Sequence, residues 1–235
     1  MRRAPATTAY LLILAATTLV LQLSSTRFAD RLLLAQSTNL HHLARDPIRV
    51  LVTSAFWLTG AWQLPAWAAL FVLAVAPVER RLGSRKTIAV FAIGHVGATL
   101  LAAGGLWLGL ALDAVDRSVV HARDVGASYG FFAVAAVATV LAGPRLRVFY
   151  AACIALYVGS SLVTSPSFTA FGHVFAVLLG LACVPLVARV QLDDELAVER
   201  LRDLQQRVDP GRPAAALEAG DRRLRRADEL GELAL

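Results

Sequence analysis

Apolar residues in this chain arrive in long blocks rather than at strand or surface-helix intervals. Six blocks, at about 8–24, 59–78, 87–111, 128–142, 146–164 and 168–188, fill the first 190 of 235 residues. A helix needs roughly 20 residues to cross the hydrocarbon core, and lipid admits only spans whose backbone groups are paired internally. The pattern therefore predicts an all-α, polytopic membrane protein, a bundle of six transmembrane helices. The fourth block is short, so its outer end should lie below the membrane surface. After Arg189 the pattern changes. Ala197, Leu201, Leu204 and Val208 recur at four-three-four spacing in a charged stretch, Asp209-Pro210-Gly211-Arg212-Pro213 breaks it, and polar sequence runs to Leu235. Two heptads are too few for a coiled coil. The chain thus reads as a membrane domain over 1–189 and a charged cytoplasmic tail over 190–235, helical or partly disordered.

Composition agrees with this division. Hydrophobic residues make up 57% of the chain and the mean hydropathy is +0.60, against roughly 45–50% apolar residues in soluble domains. The net charge is +6, and basic residues cluster in the short connectors and in the tail, which points to topology and anionic lipid and not to nucleic acid. Arg2 and Arg3, the Glu79–Lys86 connector, Arg145 with Arg147, and Arg189 fall on one side if both termini are cytoplasmic in a multi-pass cell-membrane protein. The longer outer connectors, 25–58 and 112–127, are less basic and mixed with acids. Met1-Arg2-Arg3 before an apolar block also fits a signal peptide, but the block is long for one and no clean small-x-small site follows, so a retained first helix is expected. Arginine outnumbers lysine 22 to 1, as in a GC-rich bacterial genome. Cys153 and Cys183 lie inside apolar blocks and offer neither a disulfide framework nor metal spacing. No metal or organic cofactor is implied.

A polar side chain inside lipid costs several kcal/mol unless it is paired or functional, which narrows the search for chemistry. Ser128 opens the fourth block in Gly126-Ala127-Ser128-Tyr129-Gly130, and His173 follows Gly172 about five residues into the sixth. At 1.5 Å per residue His173 lies roughly 8 Å deep, and Ser128, heading a short helix, should reach a similar layer. A serine becomes a nucleophile when a base takes its proton, and neutral imidazole is the usual base. A helix amino end adds unpaired N–H groups that can hold an oxyanion. Small residues at Gly172, Ala176 and Gly180 would let the sixth helix approach the fourth closely. Taken singly, a serine in a membrane helix usually bonds its own backbone and a histidine packs quietly; the shared depth and glycine settings single out this pair. For proteolysis the two should come within hydrogen-bond reach, about 2.6–3.2 Å.

Other polar residues read as structural. His95 should lie well below the Ser128–His173 layer, in a helix–helix hydrogen bond. Asp124 either caps the fourth helix or orients His121, and His41-His42 form a solvated loop pair. Trp57, Trp62, Trp67 and Trp107 pack or anchor at interfaces.

Several of these features together resemble the rhomboid intramembrane serine proteases. The resemblance rests on Gly126-Ala127-Ser128 at the start of helix four, and on His173 followed by Ala176 and Gly180. Thr53-Ser54-Ala55-Phe56 and Glu79-Arg80-Arg81-Leu82-Gly83-Ser84 add to it, and it covers about residues 8–189. It implies a rhomboid-like bundle and a serine endopeptidase that cleaves transmembrane substrates, with a catalytic Ser128–His173 dyad. Two departures stand out. The helix-two His and Asn that help bind the oxyanion in active rhomboids fall on Gln63 and Trp67, of which Gln63 could still donate. Tyr129 stands where the family usually has glycine, and could fill space meant for substrate. Gln63, Gly126 and Tyr129 are accordingly the oxyanion or substrate-binding candidates. The alternative is a rhomboid-like pseudoprotease that binds membrane-protein clients without cutting them. A small transporter fits less well, because charged or broken-helix signatures at mid-membrane are sparse.

Overall fold

The computed structural model describes residues 3–121, 123–185 and 187; the expected tail, from 190 onward, lies outside them. The described residues are helical, with no strand. In order come α1 (Pro5–Leu23), three short helices α2 (Thr26–Ala35), α3 (Leu40–Arg45) and α4 (Pro47–Thr53), then a span from Ala61 to Leu82. That span comprises a 3-10 turn, α5 (Leu64–Leu70), a π-helical turn (Phe71–Val75) and α6 (Ala76–Leu82). The long α7 (Ser84–Ala111), the short α8 (Ser128–Leu141), α9 (Pro144–Thr164) and α10 (Phe168–Pro185) complete it. Five of these helices are long and apolar enough to cross a membrane, and α8 is the short sixth.

The predicted blocks therefore became helices, with ends shifted by a few residues. The outer connector 25–58 did not stay a loop. Ser25 caps α2 by accepting from Phe28 N–H, and Asn39 caps α3 by accepting from His42 N–H, which supplies partners for otherwise orphaned donors. Pro5, Pro47 and Pro144 open their helices, where the missing N–H costs nothing.

Helix α8 forms the centre. Every residue from Tyr129 to Ala138 is buried, which is why its sequence is apolar all round. Its 14 residues rise only about 21 Å, short of the roughly 30 Å hydrocarbon core. Close approach depends on small residues at two neighbours. A Cβ on Gly94 of α7 would fall 2.1 Å from Ala133 Cβ, and one on Gly180 of α10 would fall 2.2 Å from the Ala133 carbonyl oxygen. Ala176 is fully buried as well, so the small-residue stripe on the sixth helix does face the fourth.

Polar groups tie one end of the bundle together. Glu79, 1% exposed, accepts from the N–H groups of Ala6 and Thr7 at 2.7 Å each, from Thr7 Oγ1 at 2.6 Å and from Ser84 Oγ at 2.6 Å. It thus serves as the amino-terminal cap that α1 lacks locally, since Ala4 offers no side chain for it. At the same end Arg81 donates to the Leu141 carbonyl, and Arg147 donates to the carbonyls of Val140 (3.0 Å) and Ala142 (3.3 Å). Cations suit a helix carboxyl terminus, so part of the basic connector charge has a structural use. Pro77 cannot bond to the carbonyl four residues before it. That oxygen, on Leu73, accepts from the Tyr150 hydroxyl of α9 at 2.6 Å.

Candidate active site

Ser128 is the first residue of α8 and is partly buried. The turn before it is fixed by Gly126, whose φ of +141° is strained for any side-chain-bearing residue. The Gly126 N–H donates to the Ser54 carbonyl at 2.9 Å, which pins the start of α8 to the segment ahead of α5. Ala127 is fully buried. Ser128 contributes one of the leading N–H groups of α8, which have no intrahelical acceptor.

His173, on the second turn of α10, is 6% exposed. Its ring packs against Phe132 (centroids 4.9 Å apart), Tyr129 (5.5 Å) and Tyr157 (5.6 Å). Phe132 lies one turn below Ser128 on the same face of α8, and Tyr129 is the next residue along. The structure therefore brings His173 to the Ser128 end of α8 but does not join the two. Neither ring nitrogen of His173 has a hydrogen-bond partner. The expected dyad hydrogen bond is absent because the imidazole is held in an aromatic cage.

Tyr129 does fill space at the site. A Cβ on Gly172 would lie 2.4 Å from its ring and hydroxyl, so Gly172 provides the notch that the tyrosine occupies. The hydroxyl donates toward both carboxylate oxygens of Asp124, at 3.3 and 3.2 Å. Asp124 is itself buried and anchored. Its N–H donates to Ser37 Oγ at 2.7 Å, its carboxylate accepts from Thr38 Oγ1 at 3.2 Å, and its carbonyl accepts from Thr38 N–H at 3.0 Å. Asp124 thus neither caps α8, whose N-cap is Ala127 without a side-chain bond, nor orients His121. That ring instead lies 5.1 Å from His41.

Burial pushes the Asp124 carboxyl up from 3.8 to about 6, against hydrogen bonds from Thr38, Tyr129 and Thr169 that favour the charged form. The folded protein then binds a proton that the unfolded chain has released between pH 4 and pH 6. The contribution of Asp124 to stability is therefore fully present below pH 4, falls as pH rises to about 6, and is flat above. A two-unit shift corresponds to about 3 kcal/mol. The unfolding midpoint of the parent protein should fall relative to that of Asp124→Asn as pH rises from 4 to 6, and a constant difference between the two would contradict the shift.

The remaining candidates are placed as follows. Gln63 ends the 3-10 turn before α5, and its Oε1 accepts from Thr59 Oγ1 at 3.3 Å. Trp67 packs edge-on against Phe131 at 5.5 Å, joining helix two to α8 by a hydrophobic contact. His95 makes the expected helix–helix hydrogen bond, its Nε2 lying 3.1 Å from Oγ of Ser54 in the short apolar helix Pro47–Phe56 of the connector. It does not lie below the site, since its ring is 6.3 Å from that of Tyr129. Because α7 is long and α8 starts deep, the middle of one meets the beginning of the other. The sequence thus holds a second Ser–His pair, joined through the histidine Nε2, whose serine is 0% exposed. Among the described residues no cluster of three or more His, Cys, Asp or Glu is arranged to hold a metal.

No curated protein and no solved structure matches this chain. A family model described as rhomboid-like protein matches residues 1–192, which takes in the whole helical bundle and both candidate residues. With a central short helix opened by Gly126-Ala127-Ser128 and crossed by a small-residue stripe below His173, this multi-pass membrane protein belongs to the rhomboid-like family.

Proposed function

We propose that the protein is an intramembrane serine endopeptidase that cleaves transmembrane segments of other proteins. Ser128 is the nucleophile and His173 the general base. The observation that carries this reading is the unpaired imidazole of His173, buried beside the residues that flank Ser128. A structural histidine would use at least one ring nitrogen, as His95 Nε2 does with Ser54. Leaving buried polar atoms unpaired costs about 1–3 kcal/mol. A free imidazole at this place is explained by a proton it has yet to accept.

In the reaction the ring turns toward Ser128 and takes the hydroxyl proton as the oxygen bonds to the substrate carbonyl carbon. N–H groups at the head of α8, with Gln63 after it leaves Thr59, hold the oxyanion. The peptide C–N bond then breaks, and the leaving amine takes the proton from His173. Water, deprotonated by the same imidazole, then attacks the acyl carbon, and the bond from that carbon to the Ser128 oxygen breaks as the imidazolium returns the proton to that oxygen. On this reading both termini lie in the cytoplasm and the basic end of the bundle faces inward in the cell membrane, as the positive-inside tendency favours. Residues 1–189 form the catalytic domain and 190–235 a cytoplasmic tail. Proteoliposomes holding a single-span peptide substrate with small residues near its outer end should yield two fragments, and His173→Ala should yield none. Equal cleavage by His173→Ala would remove the base assignment.

One set of observations favours a second reading, a rhomboid-like pseudoprotease that binds transmembrane clients. Gln63 and Trp67 are engaged elsewhere, and Tyr129 occupies the notch at Gly172. Intact client binding without cleavage in the same proteoliposomes would establish it.

A further inference from the structure

Away from Ser128, the first connector, α7 and the loop before α8 enclose a cavity of about 10 Å³, lined by Thr38, Asn39, Thr99, Ala102, Leu106 and Asp124 among others. That is about the space one water molecule requires. Two of its lining side chains carry polar atoms without a partner: Asn39 Nδ2 and Thr99 Oγ1. Asn39 is 3% exposed and Thr99 1%. Neither orphan has a local remedy. The Asn39 amide oxygen is already committed to capping α3 through His42 N–H, which fixes the amide so that its NH₂ group remains the free end. Thr99 lies in mid-helix, where a threonine often donates to its own backbone, yet it makes no such bond here.

We propose that this cavity is the binding site of one ordered water molecule. The chemistry of the lining selects that occupant. Asn39 Nδ2 can only donate, so the guest must accept. Asp124, whose carboxylate already takes the Thr38 and Tyr129 hydroxyls, can accept more, so the guest must also donate. A metal cation is repelled by the amide donor and an anion by the carboxylate. Water does both, and the Thr99 hydroxyl serves as its third partner. Three hydrogen bonds are the usual number for an internal water. The molecule would tie α3 to α7 and to Asp124, and so brace the carboxylate that holds Tyr129.

Thr99→Val tests this by sign, because valine matches threonine in shape and nearly in helix propensity. If a water is bound, the substitution removes one of its partners, and the unfolding midpoint should fall by about 2–4 °C. Thr99→Ser should keep most of the parent value. If the cavity is a dry void, valine replaces an orphaned hydroxyl by a methyl group and the midpoint should rise, which overturns the proposal. A high-resolution structure of the unsubstituted protein decides independently of folding. Density within about 3.2 Å of Asn39 Nδ2, Thr99 Oγ1 and an Asp124 carboxylate oxygen supports the water site, and none there refutes it.

Discussion

Glu79→Leu should lower the thermal unfolding midpoint in detergent by about 10 °C or more. The carboxylate accepts four hydrogen bonds from two separate segments: the Ala6 and Thr7 N–H groups and Thr7 hydroxyl at the amino end of α1, and Ser84 at the start of α7. Leucine would leave the N–H groups of Ala6 and Thr7 and two hydroxyls without acceptors in a nearly sealed place. Each hydrogen bond to a charged group contributes about 1.5–3 kcal/mol net, and orphaned buried donors add a penalty. Even after losses are shared by relaxation, about 4 kcal/mol is expected, which corresponds to roughly 8–16 °C for a domain of this size. Glu79→Gln, isosteric but neutral, should fall between the two. A change under 2 °C in Glu79→Leu, read by circular dichroism at 222 nm against temperature, would show that the cap is not structural.

His173→Phe should do the opposite to stability while removing activity. The ring sits among Phe132, Tyr129 and Tyr157 and spends neither nitrogen on a hydrogen bond. A phenyl ring of similar outline would lose only the penalty for unpaired polar atoms, about 1–3 kcal/mol. The unfolding midpoint should hold or rise by a few degrees, and cleavage of a membrane-embedded substrate should cease. Such a trade is expected where a residue is kept for function against stability. A fall of several degrees would instead show that the imidazole has partners in the bilayer and is structural.

How far the sequence reached follows from the range of each interaction. Hydrophobic blocks are local, so six helices were legible, as was the shortness of the fourth. The Ala176–Gly180 stripe was legible too, because close helix contact demands small residues whatever the partner. The folding of the 25–58 connector was missed, although Ser25 and Asn39 stood there as cap signals before short amphipathic runs. Glu79 was read only as part of a basic turn. Its bonds to Ala6 and Thr7 cross more than 70 positions, and only an acid among arginines at a helix end hinted at the role. The Tyr129–Asp124 link lay close in sequence, but its direction depends on how Gly172 opens a notch on another helix. The layer of His95 was misjudged because helix lengths were read separately, and α8 starts level with the middle of α7.

The central claim concerns which serine is reactive, and labelling of membranes with a fluorophosphonate tests it most directly. The parent protein should be labelled, Ser128→Ala should not, and Ser54→Ala and Ser165→Ala should retain the label if folded. Ser54 is the stringent control, since it alone of the three is hydrogen-bonded to a histidine yet is sealed from solvent. Label that persists in Ser128→Ala, or a folded parent protein that never takes it, would contradict the assignment.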